Sequence, residues 1–254
     1  MPVRGFTLAL SLVLTLCGLS PQASAEHTGL TLYTENFPPY NYGNDEHADG
    51  FSVAVLEELS RRLKQPLHIR VVPFNRALQA VEKAQNRGLF SIYRTEERAA
   101  RYKWVGPLTS ANVALLAHRD RPITLSRLED ARSLERIGVQ ENSAYHYTLM
   151  SLGFANLDTT AAALPDEAGT PNIHRLYKGR INLWVATVAS AREKARLLSY
   201  DPDELQIAWV LARDDLYLAF NLDTEDALIR DWQAALDQLK REPLWQQLEQ
   251  RYLQ

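Results

Sequence analysis

Short apolar strands alternate with helical patterns along most of this chain. That order restricts it to folds in which helices cover a largely parallel sheet. Leu30-Thr-Leu-Tyr33 alternates as a strand does and runs into Glu35-Asn-Phe-Pro-Pro-Tyr40, where two prolines forbid regular structure. Gly50 then precedes Phe51 to Leu63, whose apolar residues recur at helical spacing. Leu67 to Val72 predicts a second strand, Asn75 to Gln85 a second helix, and Asn112 to Ala117 a further apolar strand. The polar turn His118-Arg-Asp-Arg-Pro122 reads as a first crossing, after which the alternation starts afresh. Helices are expected at Leu125 to Leu134, Ser143 to Leu152 and Ala189 to Leu198. Strands are expected at Arg136 to Gln140, Ile181 to Ala186 and Gln206 to Leu211. Arg213-Asp-Asp215 reads as a second crossing, and Leu216 to Phe220 as a strand returning to the first unit. Leu228, Trp232, Leu236 and Leu239, then Leu244, Trp245, Leu248 and Tyr252, predict two closing amphipathic helices broken at Pro243. The expected division is 26–117 plus 215–254 as one lobe and 118–214 as the other.

Residues 1–25 read as a secretory signal peptide. Arg4 supplies the positive start, Leu8 to Leu19 the apolar stretch, and Ala23-Ser24-Ala25 the small residues at the cleavage positions. The apolar stretch is well short of the ~20 residues that span a bilayer. Export to the periplasm with Glu26 as the first mature residue is therefore expected. Cys17 is the one cysteine, and Leu16 before it is a poor fit to a lipidation motif, so the exported chain would hold no disulfide. The whole chain carries a net charge of −3, which gives no electrostatic case for nucleic acid or for a membrane surface.

The segment Ser91-Ile-Tyr-Arg-Thr-Glu-Glu-Arg98, closed by Trp104-Val-Gly-Pro-Leu108, carries the strongest chemical signal. A short strand breaks into a turn and opens a helix, with Thr95 at the N-cap and Arg98 on the first turn. A hydroxyl, backbone N–H groups and a planar guanidinium fork then converge, as a clamp for a carboxylate requires. The competing reading is a solvated helix start with Arg98 paired to a neighbouring glutamate. The six histidines show no metal-ligand spacing. There is no Gly-x-Ser-x-Gly elbow, phosphate-binding glycine loop or cysteine nucleophile, so no catalytic residue, metal or cofactor is expected.

Taken in order, these pieces resemble the periplasmic solute-binding proteins of ABC transporters, in particular the polar amino-acid-binding family (bacterial extracellular solute-binding protein family 3). The resemblance rests on Phe37-Pro-Pro-Tyr40, Gly50-Phe51 opening a helix, Thr95-Glu-Glu-Arg98 followed by Trp104-Val-Gly-Pro, Ile137-Gly-Val-Gln140, Lys178-Gly-Arg-Ile181 and Leu244-Trp245. It implies an α/β, two-lobed periplasmic-binding-protein fold of type II. Each lobe would be a mostly parallel sheet flanked by helices, with two crossing strands at the hinge. It further implies a monomer that captures a small carboxylate-bearing ligand, such as an amino acid, for an ABC permease. A sensory role, or on the same fold a dehydratase using Glu35 or Glu141, are the alternatives.

Carried over residue by residue, the resemblance makes Arg98 and Thr95 the carboxylate-gripping pair, Phe37 a cover for the ligand and Phe74 an apolar wall. Tyr93 stands where a small hydroxyl residue is usual, and Asn142 and Ser143 match the pair at a helix start that closes on the carboxylate. One departure stands out. The acid that pairs with a ligand's ammonium is replaced by Thr187, and Asn182 takes the earlier acidic position. A buried ammonium without a carboxylate is costly. Either the ligand is not an ordinary α-amino acid and the site leans toward anions, helped by Arg76 and Arg94, or Glu35, Glu141 or another acid serves instead.

Overall fold

The computed structural model describes Met1, residues 29–161 and residues 170–253. Apart from Met1, the leader read over residues 1–25, including Cys17, lies outside the described residues. The first half of the chain opens with strand β1 (Leu30–Thr34), the short hairpin β2 (Tyr42–Gly43) and β3 (Ala48–Asp49), and helix α1 (Phe51–Leu63). Strand β4 (Leu67–Val71), helix α2 (Phe74–Val81), strand β5 (Arg87–Tyr93) and the single turn α3 (Glu96–Ala99) follow. Strand β6 (Lys103–His118) leads to β7 (Ile137–Gln140), α4 (Ala144–Ser151), β8 (Leu157–Thr160) and α5 (Thr170–Tyr177). Strand β9 (Leu183–Thr187), α6 (Val188–Leu197), strand β10 (Leu205–Phe220), α7 (Asp226–Leu239) and α8 (Pro243–Leu253) complete it.

Eight strands form one sheet in the order β4-β1-β5-β10-β6-β9-β7-β8. Both ends are parallel, β4-β1-β5 on one side and β9-β7-β8 on the other. The antiparallel pair β6 and β10, 16 residues each, joins them. Apolar side chains alternate across each strand and feed cores on both faces. In the first half, α1, α7 and α8 cover one face through Leu56, Leu59, Trp232 and Leu236, and α2 covers the other through Ala77 and Val81. In the second half Val113, Leu115 and Ala117 point to the α4 side, and Ala114 and Leu116 to the α5 and α6 side.

Of the two expected crossings, Arg213-Asp-Asp215 lies inside the continuous strand β10, whereas His118-Arg-Asp-Arg-Pro122 is the turn at which β6 ends. The change of core falls inside β6, several residues before the expected boundary after Ala117, because Val113 to Ala117 already pack in the second half. At that passage Ser110 Oγ donates to Asp215 Oδ1 at 2.6 Å, tying β6 to β10. The helix expected at Leu125 to Leu134 is reduced to a 3-10 turn, Leu128–Ser133. Asp130 explains the difference: its carboxylate accepts the backbone N–H groups of Ser126 and Arg127, and this closes a tight turn in place of helical pairing. Helix α2 also stops short of the expected Gln85, where the chain must turn through Asn86 at φ 56° to enter β5.

Candidate functional site

The cleft between the two halves is built from strand ends. After β1 the proline-rich loop is pinned by Asn41, whose Nδ2 donates to Thr34 Oγ1 and to the Glu35 carbonyl, both at 2.7 Å. This fixes the direction in which Glu35 and Phe37 leave the backbone. In β5, Ser91 is bulged out between the pairs Ile92–Tyr217 and Phe90–Leu218 and sits at φ 58°. Its hydroxyl donates to Ser52 Oγ at 2.9 Å. Thr95 caps α3 by accepting the Arg98 N–H at 3.3 Å.

Arg98 folds back under that cap and is only 6 % exposed. Its Nη1 donates to the Tyr93 carbonyl at 3.2 Å, and its Nη2 reaches across the cleft to the Asn142 carbonyl at 2.9 Å. The Phe74 ring lies beneath it, with the guanidinium carbon 5.5 Å from the ring centroid. Among the described residues Arg98 makes no ion pair; the neighbouring Glu97 lies instead toward Arg101. The reading of Arg98 as a solvated cation paired to a local glutamate is therefore set aside. Burial holds its pKa below the ordinary arginine value, so the charge is under-solvated and open to an anion.

The second half closes over this cation with polar ends of its own. Ser143 caps α4, its Oγ accepting from the His146 N–H at 3.2 Å. Asn142, at φ 59°, donates from Nδ2 to Asn75 Oδ1 at 3.0 Å and accepts the Tyr147 hydroxyl at 2.8 Å. Gln140 at the end of β7 donates to Glu35 Oε2 at 2.8 Å. At the end of β9, Thr187 Oγ1 shares a 2.8 Å hydrogen bond with the Tyr93 hydroxyl. Tyr145 meets Tyr93 edge-on, with ring centroids 5.8 Å apart. With the Arg98–Asn142 bond, these contacts among the described residues number five, and they join the halves around one cavity of about 750 Å³, its mouth included.

The cavity is lined by Arg98, Tyr93, Phe37, Phe74, Ser143 and Thr187 among the expected residues. Thr95 and Asn142 stand just behind the wall: the first caps Arg98's own helix, and the second offers Arg98 its carbonyl. Arg76 and Arg94 do not line the cavity, which corrects the expectation that they add charge there. Both are exposed, and Arg94 lies over the Trp104 ring. Asn182 is also elsewhere, its Oδ1 accepting the Arg136 N–H.

Glu35 lines the cavity, as do Ser91, Gln140, Tyr145, Trp184, Ser190 and Lys194. The last of these went unread in the sequence. It lies seven residues beyond Thr187, and the i, i+3, i+4, i+7 face of the helix carries Ser190, Ala191 and Lys194 inward. Burial pushes the Glu35 carboxyl above the usual carboxylate range, although Lys194, the Gln140 amide and Arg98 pull the other way. Burial also lowers Lys194 to about 8, opposed by the Glu35 charge. Among the described residues one carboxylate, Glu35, and two cationic side chains, Arg98 and Lys194, therefore line one partly apolar space. Among the described residues no group of three or more His, Cys, Asp or Glu is placed to hold a metal ion.

The lowered Lys194 makes a direct prediction. Near pH 8 a far larger share of its amine is unprotonated than the under ~1 % of an ordinary lysine. The rate at which acetic anhydride acetylates Lys194, read by peptide mass mapping at a series of pH values, is expected to level off near pH 8. A rate that keeps rising about tenfold per pH unit up to about pH 10, as for an ordinary lysine, would contradict its assigned environment.

The sequence profile of the bacterial extracellular solute-binding proteins, family 3, matches residues 30–254. The chain belongs to that family. No curated protein sequence matches it. This family 3 protein is similar in fold to a histidine kinase sensor domain with similarity to periplasmic binding proteins. That pair shares 18 % identity and a TM-score of 0.78 over 89 % of this chain and 96 % of the other. It is similar also to holo ArgBP from T. maritima, at 19 % identity and TM-score 0.70 over 88 % and 96 % of the two chains. A third likeness is to the ancestral amino-acid-binding protein AncCDT-1, a precursor of cyclohexadienyl dehydratase, at 15 % identity and TM-score 0.74 over 89 % and 96 %. At these identities the likeness is one of fold, the two-lobed α/β architecture of periplasmic binding proteins. Among the described residues of this family 3 protein, no helix is long and apolar enough to cross a membrane.

Proposed function

We propose that this family 3 protein captures an amino acid or related small carboxylate between its two lobes. We further propose that it works in the periplasm as the binding component of an ABC uptake system and hands the ligand to a permease of the inner membrane. The lobes in this reading are the halves on either side of the β6–β10 passage, which bends as the hinge. Arg98 carries the proposal. It is a buried cation with no ion pair among the described residues, hydrogen-bonded to both halves at the floor of the cleft. A ligand carboxylate arriving there gains a bidentate partner in a water-poor space, where the interaction is stronger than at a surface. Ser143 at the start of α4 adds a donor from the closing lobe, and Phe37 and Phe74 supply apolar walls.

A thermal-shift screen against amino acids, organic acids and small peptides tests this reading, with calorimetry on the hits. A ligand that binds only the folded state raises the melting temperature, and at 100 times its Kd it stabilises by about 2.7 kcal/mol. Failure of every small carboxylate to shift the melting temperature would remove the proposal. A second reading is sensory, and the likeness to a histidine kinase sensor domain supports it. Both roles use the same capture step. Ligand-dependent uptake by the native cells, lost when this protein is deleted, favours transport. Catalysis is the third reading, suggested by the likeness to the dehydratase precursor, and turnover of cyclohexadienyl acids would establish it.

A further inference from the structure

We infer that two copies of this protein pair edge to edge along β10 of their second halves and form a symmetric dimer, in place of the monomer that the sequence resemblance implies. The pairing is separate from ligand capture. Strand β5 meets β10 only from Leu216 to Phe220. From Gln206 to Asp214 the strand is bonded to β6 on one side alone, and no described residue takes up the backbone groups of its other side. An edge of this kind presents a row of free N–H and C=O groups, which is a template for another strand.

The residues of this edge fit a second copy of the same strand. Leu205 to Ala212 reads Leu-Gln-Ile-Ala-Trp-Val-Leu-Ala, with none of the lysines or prolines that blunt an edge. Two bulges in its register with β6 bring Ala208, Trp209, Leu211 and Ala212 against the α4-side core. Ile207 and Val210 stay outside that core, 49 % and 55 % exposed. Glu204 stands just before this uncharged run and Arg213 closes it, so its ends carry opposite charges. Arg213 is exposed and makes no ion pair among the described residues. Glu204 is partly exposed, with His118 Nε2 at 3.5 Å. A strand with opposite charges at its two ends is complementary to itself when reversed. Turning a second copy about an axis between Ala208 and Trp209 sets Glu204 opposite Arg213 and Ile207 opposite Val210, twice each because the interface is isologous. Opposite charges and apolar pairs directly across two strands both favour pairing. The antiparallel arrangement also sends the two first halves to opposite ends of the joint. The bulges bend the strand and keep the shared stretch short, so the dimer is small and weak.

Analytical ultracentrifugation of the protein from about 1 to about 300 μM tests this pairing. The wild type is expected to pass from monomer to dimer across that range. Val210→Lys puts a charge at the exposed centre of the edge, the device by which natural edges refuse a partner, and is expected to weaken the dimer at least ~30-fold. Its melting temperature should stay within about 2 °C of the wild type, as suits an exposed position. Arg213→Glu and Glu204→Arg each turn two attractions into repulsions, and each is expected to weaken the dimer about tenfold. Combining them reverses both charges and is expected to restore the wild-type dissociation constant to within about threefold. A wild type that stays monomeric to the top of the range overturns the pairing. So does a dimer that Val210→Lys leaves intact, or a charge reversal that the second reversal does not rescue.

Discussion

Arg98→Ala is expected to weaken the true ligand by two to three orders of magnitude, whatever group lies at the ligand's other end. Removing one member of a buried, hydrogen-bonded charge pair costs roughly 2–5 kcal/mol, and much of that is the penalty of leaving the ligand carboxylate desolvated without its partner. The unliganded protein should suffer far less. In the closed cleft Arg98 donates to two backbone carbonyls but remains a buried cation with no ion pair among the described residues, and burial lowers its pKa. Its own contribution to folding is therefore small, and the melting temperature without ligand should move by only about 2–4 °C, the shift that 1 kcal/mol produces in a domain of this size. Arg98→Lys separates charge from geometry. It keeps the cation but offers a point charge in place of a planar fork, and about a tenfold loss is expected. Calorimetry with the ligand identified by the screen reads all three numbers. Unchanged affinity in Arg98→Ala would mean that the carboxylate is held elsewhere.

The second large effect is on stability. Trp232→Ala is expected to destabilise the protein by about 3–5 kcal/mol, the usual range for truncating a large buried aromatic. Trp232 is fully buried beneath α1 and the sheet, with Phe220 edge-on at 6.1 Å between ring centroids. Its indole Nε1 donates to Gln65 Oε1 at 2.7 Å, which ties α7 to the turn after α1. Loss of the side chain leaves a cavity among Leu56, Leu59 and Leu236 that these packed neighbours only partly fill. A fall of roughly 6–20 °C in melting temperature follows. Affinity measured well below that temperature should change little, because Trp232 lies on the α1 face of the sheet and does not line the cleft. A drop of less than about 2 °C would show that the tail helices do not share the core of the first lobe.

Much of this was written in local patterns. Trp232, Leu236 and Leu239 recur at helical spacing and all face the same core. Thr95 caps the turn that carries Arg98, as its place before Glu96 and Glu97 implies. Ser143 caps α4 in the same manner. Other features depend on nonlocal pairing. Arg213 to Asp215, polar enough to read as a crossing between two strands, lie within the single strand β10 because each pairs with a residue of β6. The 3-10 turn at Leu128–Ser133 follows from where the Asp130 carboxylate points, which apolar spacing does not encode.

The anion clamp itself illustrates the division. By itself the sequence determined the strand and helix order, the cap at Thr95 and the presence of an arginine on that first turn, because these depend on periodicity and on backbone groups a few residues apart. Only the tertiary structure decided that Arg98 is buried without an ion pair among the described residues, and that Glu35, Gln140 and Lys194 meet it across one cavity. Those residues come from four separate elements of two lobes, and their charges acquire their strength from desolvation. Desolvation belongs to the closed cleft as a whole, so no stretch of the chain carries it alone.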